Sequence, residues 1–272
     1  MAFFEHSNNK KIYYEVHGEG KPIVLLNGIM MATMSWHMFI PALSAGNKLI
    51  LMDFFDQGQS DKLADQTYNQ DLQVEALKGL LEHLGLDRVS LAGVSYGGNI
   101  ALKFAAEHPD MVDRLVAFHA APKTGAWLRD VGKSWTLSID DPHNFYYTSI
   151  PVIYSPEFYN NNTEWVETRQ NFLTAHIFTN KDFMQALVRL IQSADDYDIS
   201  GKLGSITAKT LIIAAETDPL TPLSDQKSLK DGIKDSELII LPGCGHASMY
   251  EKSTLFVTLV LGFINSSFQG LL

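Results

Sequence analysis

The sequence predicts an α/β fold, a mostly parallel sheet covered by helices on both faces and carrying a helical insertion. Three observations carry this. Apolar runs such as residues 22–26 and 210–215 are continuous rather than alternating, as strands buried on both faces require. Segments with helical spacing separate these runs. Between residues 121 and 204 that alternation stops, and aromatic residues crowd into helical patterns instead. Residues 1–120 and 205–272 are therefore expected to form one core, with 121–204 as a cap over the end of its sheet.

Each element has its own signal. Residues 11–17 alternate, with Ile12, Tyr14 and Val16 on one side and Tyr13 and Glu15 on the other, as in a short strand. Gly18-Glu19-Gly20 turns the chain into the apolar run 22–26, which ends in Asn27-Gly28-Ile29-Met30-Met31. A short helix is expected over 36–43, around Trp36, Phe39 and Ile40. The next strand, 48–53, opens into the loop Phe54-Phe55-Asp56-Gln57-Gly58-Gln59-Ser60-Asp61. Leu72, Val74, Leu77, Leu80, Leu81 and Leu84 recur at helical spacing over 69–84, and Gly85 stops that helix. A strand at 89–92 and a helix from 99 follow, and Pro109 ends the helix. Another strand lies within 112–119. In the insertion, 163–176 and 181–193 read as helices. Beyond it, strands at 210–215 and 237–241 flank a helix at 222–233. A closing helix over 247–268 turns Phe256, Leu259, Val260, Phe263 and Ile264 inward.

The totals narrow the function. At 272 residues the chain can be one α/β domain with a large core. The formal charge is −10, with no basic run, which argues against nucleic acid and anionic membranes as partners. The single cysteine, Cys244, allows no internal disulfide. It follows Gly243 in a loop and lacks the strand-to-helix turn a nucleophile needs, so it reads as a small loop residue. No basic-then-apolar leader or membrane-length apolar stretch appears, so a cytoplasmic protein is expected.

In parallel sheets, sites form beyond the carboxyl ends of the strands. Gly93-Val94-Ser95-Tyr96-Gly97-Gly98 lies between a strand and a helix. A tight turn there holds the Ser95 hydroxyl out at a helix N-terminus, and its neighbours must be small because the two backbones approach closely. Three more strand ends supply Asn27-Gly28-Ile29, Glu216-Thr217-Asp218-Pro219 and Pro242-Gly243-Cys244-Gly245-His246. A serine nucleophile needs a base, and His246 is the candidate; the imidazole needs a carboxylate, and Asp218 is the candidate. The backbone N–H groups of Ile29 and Tyr96 are the candidate oxyanion hole.

On these motifs the chain resembles the α/β-hydrolase fold family, specifically its single-domain esterase, enol-lactonase and cofactor-free haloperoxidase-like group. Asp53, Gly58, Ser60 and Asp61 add a likeness to the family's D-x-x-G-x-G-x-S-D loop. The resemblance implies an eight-stranded type of sheet, the order Ser95, Asp218, His246, and no metal or organic cofactor. It also implies hydrolysis of a small-molecule ester or lactone through an acyl-enzyme. Carbon–carbon bond hydrolysis or perhydrolysis by the same triad, and small-molecule sensing on the same fold, are the alternatives. Two departures stand out. Asn27-Gly28 replaces the usual His-Gly, with Asn27 expected to hydrogen-bond the loop. Phe55 and Asp56 stand where the family has an arginine. His119 also follows a strand, but lacks a carboxylate beside it in sequence and reads as structural. His37, His108, His143 and His176 show no metal-ligand spacing. Glu216 is the rival acid to Asp218, and Asp53 reads as a loop anchor.

Overall fold

The computed structural model describes residues 2–7, 9–64 and 66–266. Its eight strands are β1 (Ala2–Glu5), β2 (Lys11–His17), β3 (Lys21–Leu26), β4 (Asn47–Met52), β5 (Val89–Val94), β6 (Val112–Phe118), β7 (Lys209–Ala215) and β8 (Ser236–Leu241). They form one sheet in the order β1-β2-β4-β3-β5-β6-β7-β8. β1 and β2 pair antiparallel, and β2 pairs antiparallel with β4; every pairing from β4 onward is parallel.

The continuous apolar runs sit in the middle of this sheet and serve both faces. In β3, Val24 and Leu26 join the core cluster on one face, while Ile23 and Leu25 join the other. The helices are α1 (Ile40–Leu43), α2 (Gln70–His83) and α3 (Tyr96–Glu107), then α4 (Ala126–Ser138), α5 (Pro142–Ser149), α6 (Pro156–Asn161), α7 (Thr163–Phe172) and α8 (Lys181–Ser193), and finally α9 (Leu223–Gly232), α10 (Ser248–Glu251) and α11 (Ser253–Ile264). Leu77 and Leu80 of α2, Phe104 of α3 and Leu229 of α9 pack on one face; Trp36, Leu43 and Phe256 pack on the other. Trp36 and Phe256 stack with centroids 5.8 Å apart, joining the first helical turn to the last helix.

Helices α4–α8 leave after β6 and return before β7. The neck is a two-stranded crossing: Thr124 N donates to Tyr197 O (2.8 Å) and Ile199 N to Pro122 O (2.9 Å). The insertion is thus closed at its base by this crossing, and residues 200–208 carry the chain back to the start of β7.

Most expected elements are found, with local corrections. β1 carries no alternation and was not expected from the residues; it is a four-residue edge strand with a half-exposed face. Residues 33–39 form a 3₁₀ helix before the short α1. The helix expected over 163–176 is α7 followed by a π-helical turn at Leu173–Ile177. The closing helix is two pieces, α10 and α11, broken at Lys252, and residues 267–268 of that expectation lie outside the described residues. No helix among the described residues is long and apolar enough to cross a membrane.

Candidate active site

β5 lies at the centre of the sheet and delivers Ser95. The residue has φ 54° and ψ −117°, a left-handed conformation that L side chains rarely adopt. Ser95 N donates to Phe118 O (2.8 Å), so the ladder with β6 continues into the turn. A Cβ on Gly93 would come within 2.3 Å of Gly97 O, and one on Gly97 within 2.5 Å of Leu26 O. Strand, turn and helix therefore meet with no room for side chains at these positions. Tyr96 opens α3, where the first-turn N–H groups have no intrahelical acceptor.

The loop after β3 is fixed by a buried polar network. Trp36 Nε1 donates to Asn27 Oδ1 (2.6 Å), while Asn27 Nδ2 donates to Met52 O (2.9 Å) and Gln57 Oε1 (3.1 Å). Asn27 thus holds the loop as expected of it. Asp53 accepts from Thr33 N (2.6 Å) and Gln59 N (2.8 Å), which makes it the loop anchor. Gln57 Nε2 donates to Gly28 O (2.9 Å). Among the described residues every peptide bond is trans. A trans peptide sets its C=O and N–H on opposite sides. With the Gly28 carbonyl turned to Gln57, the Ile29 N–H points away from it. Ile29 lines the same cavity as Ser95 and Tyr96.

The loops after β7 and β8 bring Asp218 and His246 together. His246 Nδ1 donates to Asp218 Oδ2 at 2.7 Å. Asp218 also accepts from Leu220 N (2.8 Å), Thr221 N (3.2 Å) and Thr221 Oγ1 (2.8 Å). Burial favours the neutral acid, but His246 and these donors outweigh it and hold the Asp218 carboxyl down at about 2. Glu216 serves differently: it accepts from Gly243 N (2.8 Å) and braces the His246 loop. Cys244 is fully buried, and burial pushes its thiol up to about 12, so it is held as an unreactive thiol.

A cavity of about 190 Å³ joins these parts to the insertion. Ser95 and His246 lie on its floor, and Trp135, Ile150, Leu173, Ile177 and Phe178 make an apolar wall. Among such walls Arg169 of α7 is conspicuous. Its guanidinium lies 5.4 Å over Trp165 and 5.3 Å over Tyr250, and its Nε is buried without a hydrogen-bond partner among the described residues. The sequence hides Arg169 and Gln57: the first sits among charges on an ordinary helical pattern, the second in a loop with no motif of its own. Asp56 was noted only as a departure. It pairs with Arg189 of α8, whose Nε donates at 3.0 Å, and accepts from Tyr68 Oη (2.9 Å) and Leu63 N (3.0 Å). The cation that the loop lacks in sequence comes from the insertion, as Arg189. Among the described residues no group of three or more His, Cys, Asp or Glu side chains could hold a metal ion.

This fold, with a serine on a strained strand-to-helix turn, defines a class, and the comparisons agree: the chain belongs to the α/β-hydrolase fold family. The family model for the alpha/beta hydrolase fold matches residues 21–140, and one for TAP-like proteins matches 189–266. The structure of MGS-M2, an alpha/beta hydrolase enzyme from a Medee basin deep-sea metagenome library, is 41% identical, covers 99% of each chain and superposes with a TM-score of 0.96. The 2-hydroxy-6-oxo-6-phenylhexa-2,4-dienoate hydrolase of Comamonas testosteroni is 27% identical, over 93% of this chain and 91% of its own length. An esterase from Exiguobacterium antarcticum, at 21% identity, 97% and 99% coverage and a TM-score of 0.84, shares the fold.

Proposed function

We propose that the protein is a serine hydrolase of small carboxylic esters or lactones. Ser95 is its nucleophile, His246 its base and Asp218 the carboxylate that orients that base. The observation that carries this is the 2.7 Å His246–Asp218 hydrogen bond at the edge of the cavity into which the Ser95 turn opens. Ser95 Oγ attacks the carbonyl carbon as its proton passes to His246 Nε2. The N–H groups of Ile29 and Tyr96 stabilise the oxyanion. Collapse transfers the proton from His246 to the leaving oxygen and leaves an acyl-enzyme. His246 then takes a proton from water, which attacks the acyl carbon, and returns it to Ser95 as the acid departs.

Arg169 narrows the substrate class. A guanidinium lining an otherwise apolar cavity suits a carboxylate on the non-reacting part of the substrate. Cavities of about 150 Å³ hold one benzene ring, so a cavity of about 190 Å³ suits an acyl or aryl group of modest size.

Carbon–carbon bond hydrolysis is the rival chemistry. Its support is the Comamonas relative, whose named substrate is a dienoate and therefore itself a carboxylate. Two measurements separate these. A fluorophosphonate probe followed by mass analysis should label Ser95 in the wild type and nothing in Ser95→Ala; absence of label on folded protein would overturn the nucleophile. Rates on short p-nitrophenyl esters against 2-hydroxy-6-oxo-6-phenylhexa-2,4-dienoate then choose the bond, and faster turnover of the dienoate would replace the ester assignment.

A further inference from the structure

The end of β6 carries a histidine for which the triad gives no reason. His119 is wholly buried and, like Ser95, has a positive φ (51°). Its N–H donates to Ile213 O (2.9 Å), and Thr221 Oγ1 lies 3.1 Å from its carbonyl oxygen and 2.8 Å from Asp218 Oδ2. The ring Nε2 sits 2.6 Å from Ser248 Oγ. Nδ1 has no hydrogen-bond partner among the described residues and lies 3.9 Å from Asp218 Oδ2. The ring centroid is 5.5 Å from that of His246. An apolar ring would fill this space without an orphaned nitrogen, so packing alone does not explain a histidine here.

We infer that His119 is a positioning residue that acts on the reaction through Asp218, an inference that rests on the triad proposed above. Burial keeps the ring neutral, holding it down at about 3. Beside a carboxylate, the tautomer with its proton on Nδ1 is favoured, and Nε2 then accepts from the Ser248 hydroxyl. At 3.9 Å the contact is too long for a hydrogen bond; it is a dipole aimed at a charge. When the Ser95 proton reaches His246, Asp218 faces an imidazolium. A second dipole aimed at the same carboxylate oxygen lowers its proton affinity and limits its movement, so the proton stays on His246. Asp218 and His246 are the titratable side chains that face the ring.

Three measurements test this. In His119→Phe, kcat on a p-nitrophenyl ester should fall about tenfold with KM within about twofold. The acidic limb of kcat/KM should rise by about half a pH unit, because Asp218 couples more strongly to protonated His246. His119→Asn keeps a donor and tolerates the left-handed backbone, so it should recover most of both. Folded His119→Phe with wild-type kcat and an unmoved limb overturns the assignment. So does an equal loss in both variants with an unmoved limb, which marks a packing role. Where His119→Phe does not fold, nitrogen-15 NMR of the wild-type imidazoles decides, with His119→Asn supplying the assignment. A neutral Nδ1–H ring from about pH 5 to 9 is expected, and an Nε2–H tautomer or a titrating ring overturns the inference. That spectrum needs no turnover, so its failure is distinguishable from a failure of Ser95 labelling.

Discussion

At the scale of single residues, the chemistry depends on which groups are buried with partners. Asp218 sends four acceptor contacts inward, so replacing it with asparagine should preserve the fold and spoil the His246 tautomer. The expected loss in kcat is on the order of 10³–10⁴, read from steady-state rates alongside circular dichroism; a near-wild-type rate would count against this acid. Arg169 makes a different prediction. Arg169→Met should raise KM about tenfold or more for an ester bearing a carboxylate and leave a neutral ester of the same size within about twofold, since a charge-assisted hydrogen bond is worth roughly 1.5–3 kcal/mol. The sequence announces Ser95, Asp218 and His246 because strand ends and small flanking residues leave local marks. Arg169, Gln57 and the approach of His119 to Asp218 leave none, because the chain brings these partners together from separate strands and helices. His119 in particular has no acid near it in sequence, and its carboxylate arrives from the loop after β7.

At the scale of elements, the buried pair between Asp56 and Arg189 joins the loop after β4 to α8. Breaking a buried pair from one side strands the other charge. Arg189→Met is therefore expected to cost about 3 kcal/mol, measured as a lowered urea midpoint with an unchanged slope. A rate loss without that stability loss would mean that Arg189 acts on substrate instead. The central strands were legible because both faces are buried, so apolar residues dominate them. β1 was not, because an edge strand of four residues with one face half-exposed carries no pattern to read. α4, α5 and α6 were also missed as separate helices. α5 and α6 are short, at eight and six residues, and α4 buries only Gly132 and Trp135, so no continuous core stripe marks them.

At the scale of the whole molecule, acid stability follows from His119. Burial lowers its folded value from 6.5 to about 3, so between these limits the unfolded chain binds a proton that the native protein refuses. Stability falls as pH drops through this window and levels off below it with respect to this group. Asp218, held at about 2, adds its own loss below about 4. Urea titrations from pH 7 to 3 should show a slope that contains about one proton from His119, and His119→Phe should remove that component. The insertion also reaches the reacting centre by a direct route. Tyr96, whose N–H is assigned to the oxyanion hole, shares a hydrogen bond through its phenol with Ser193 at the end of α8 (2.9 Å). Helix α8 and the residue that follows Ser95 are thus tied by one buried hydrogen bond. Any displacement of α8 would therefore be felt at the residue beside Ser95, so the serine turn and the insertion are expected to move together.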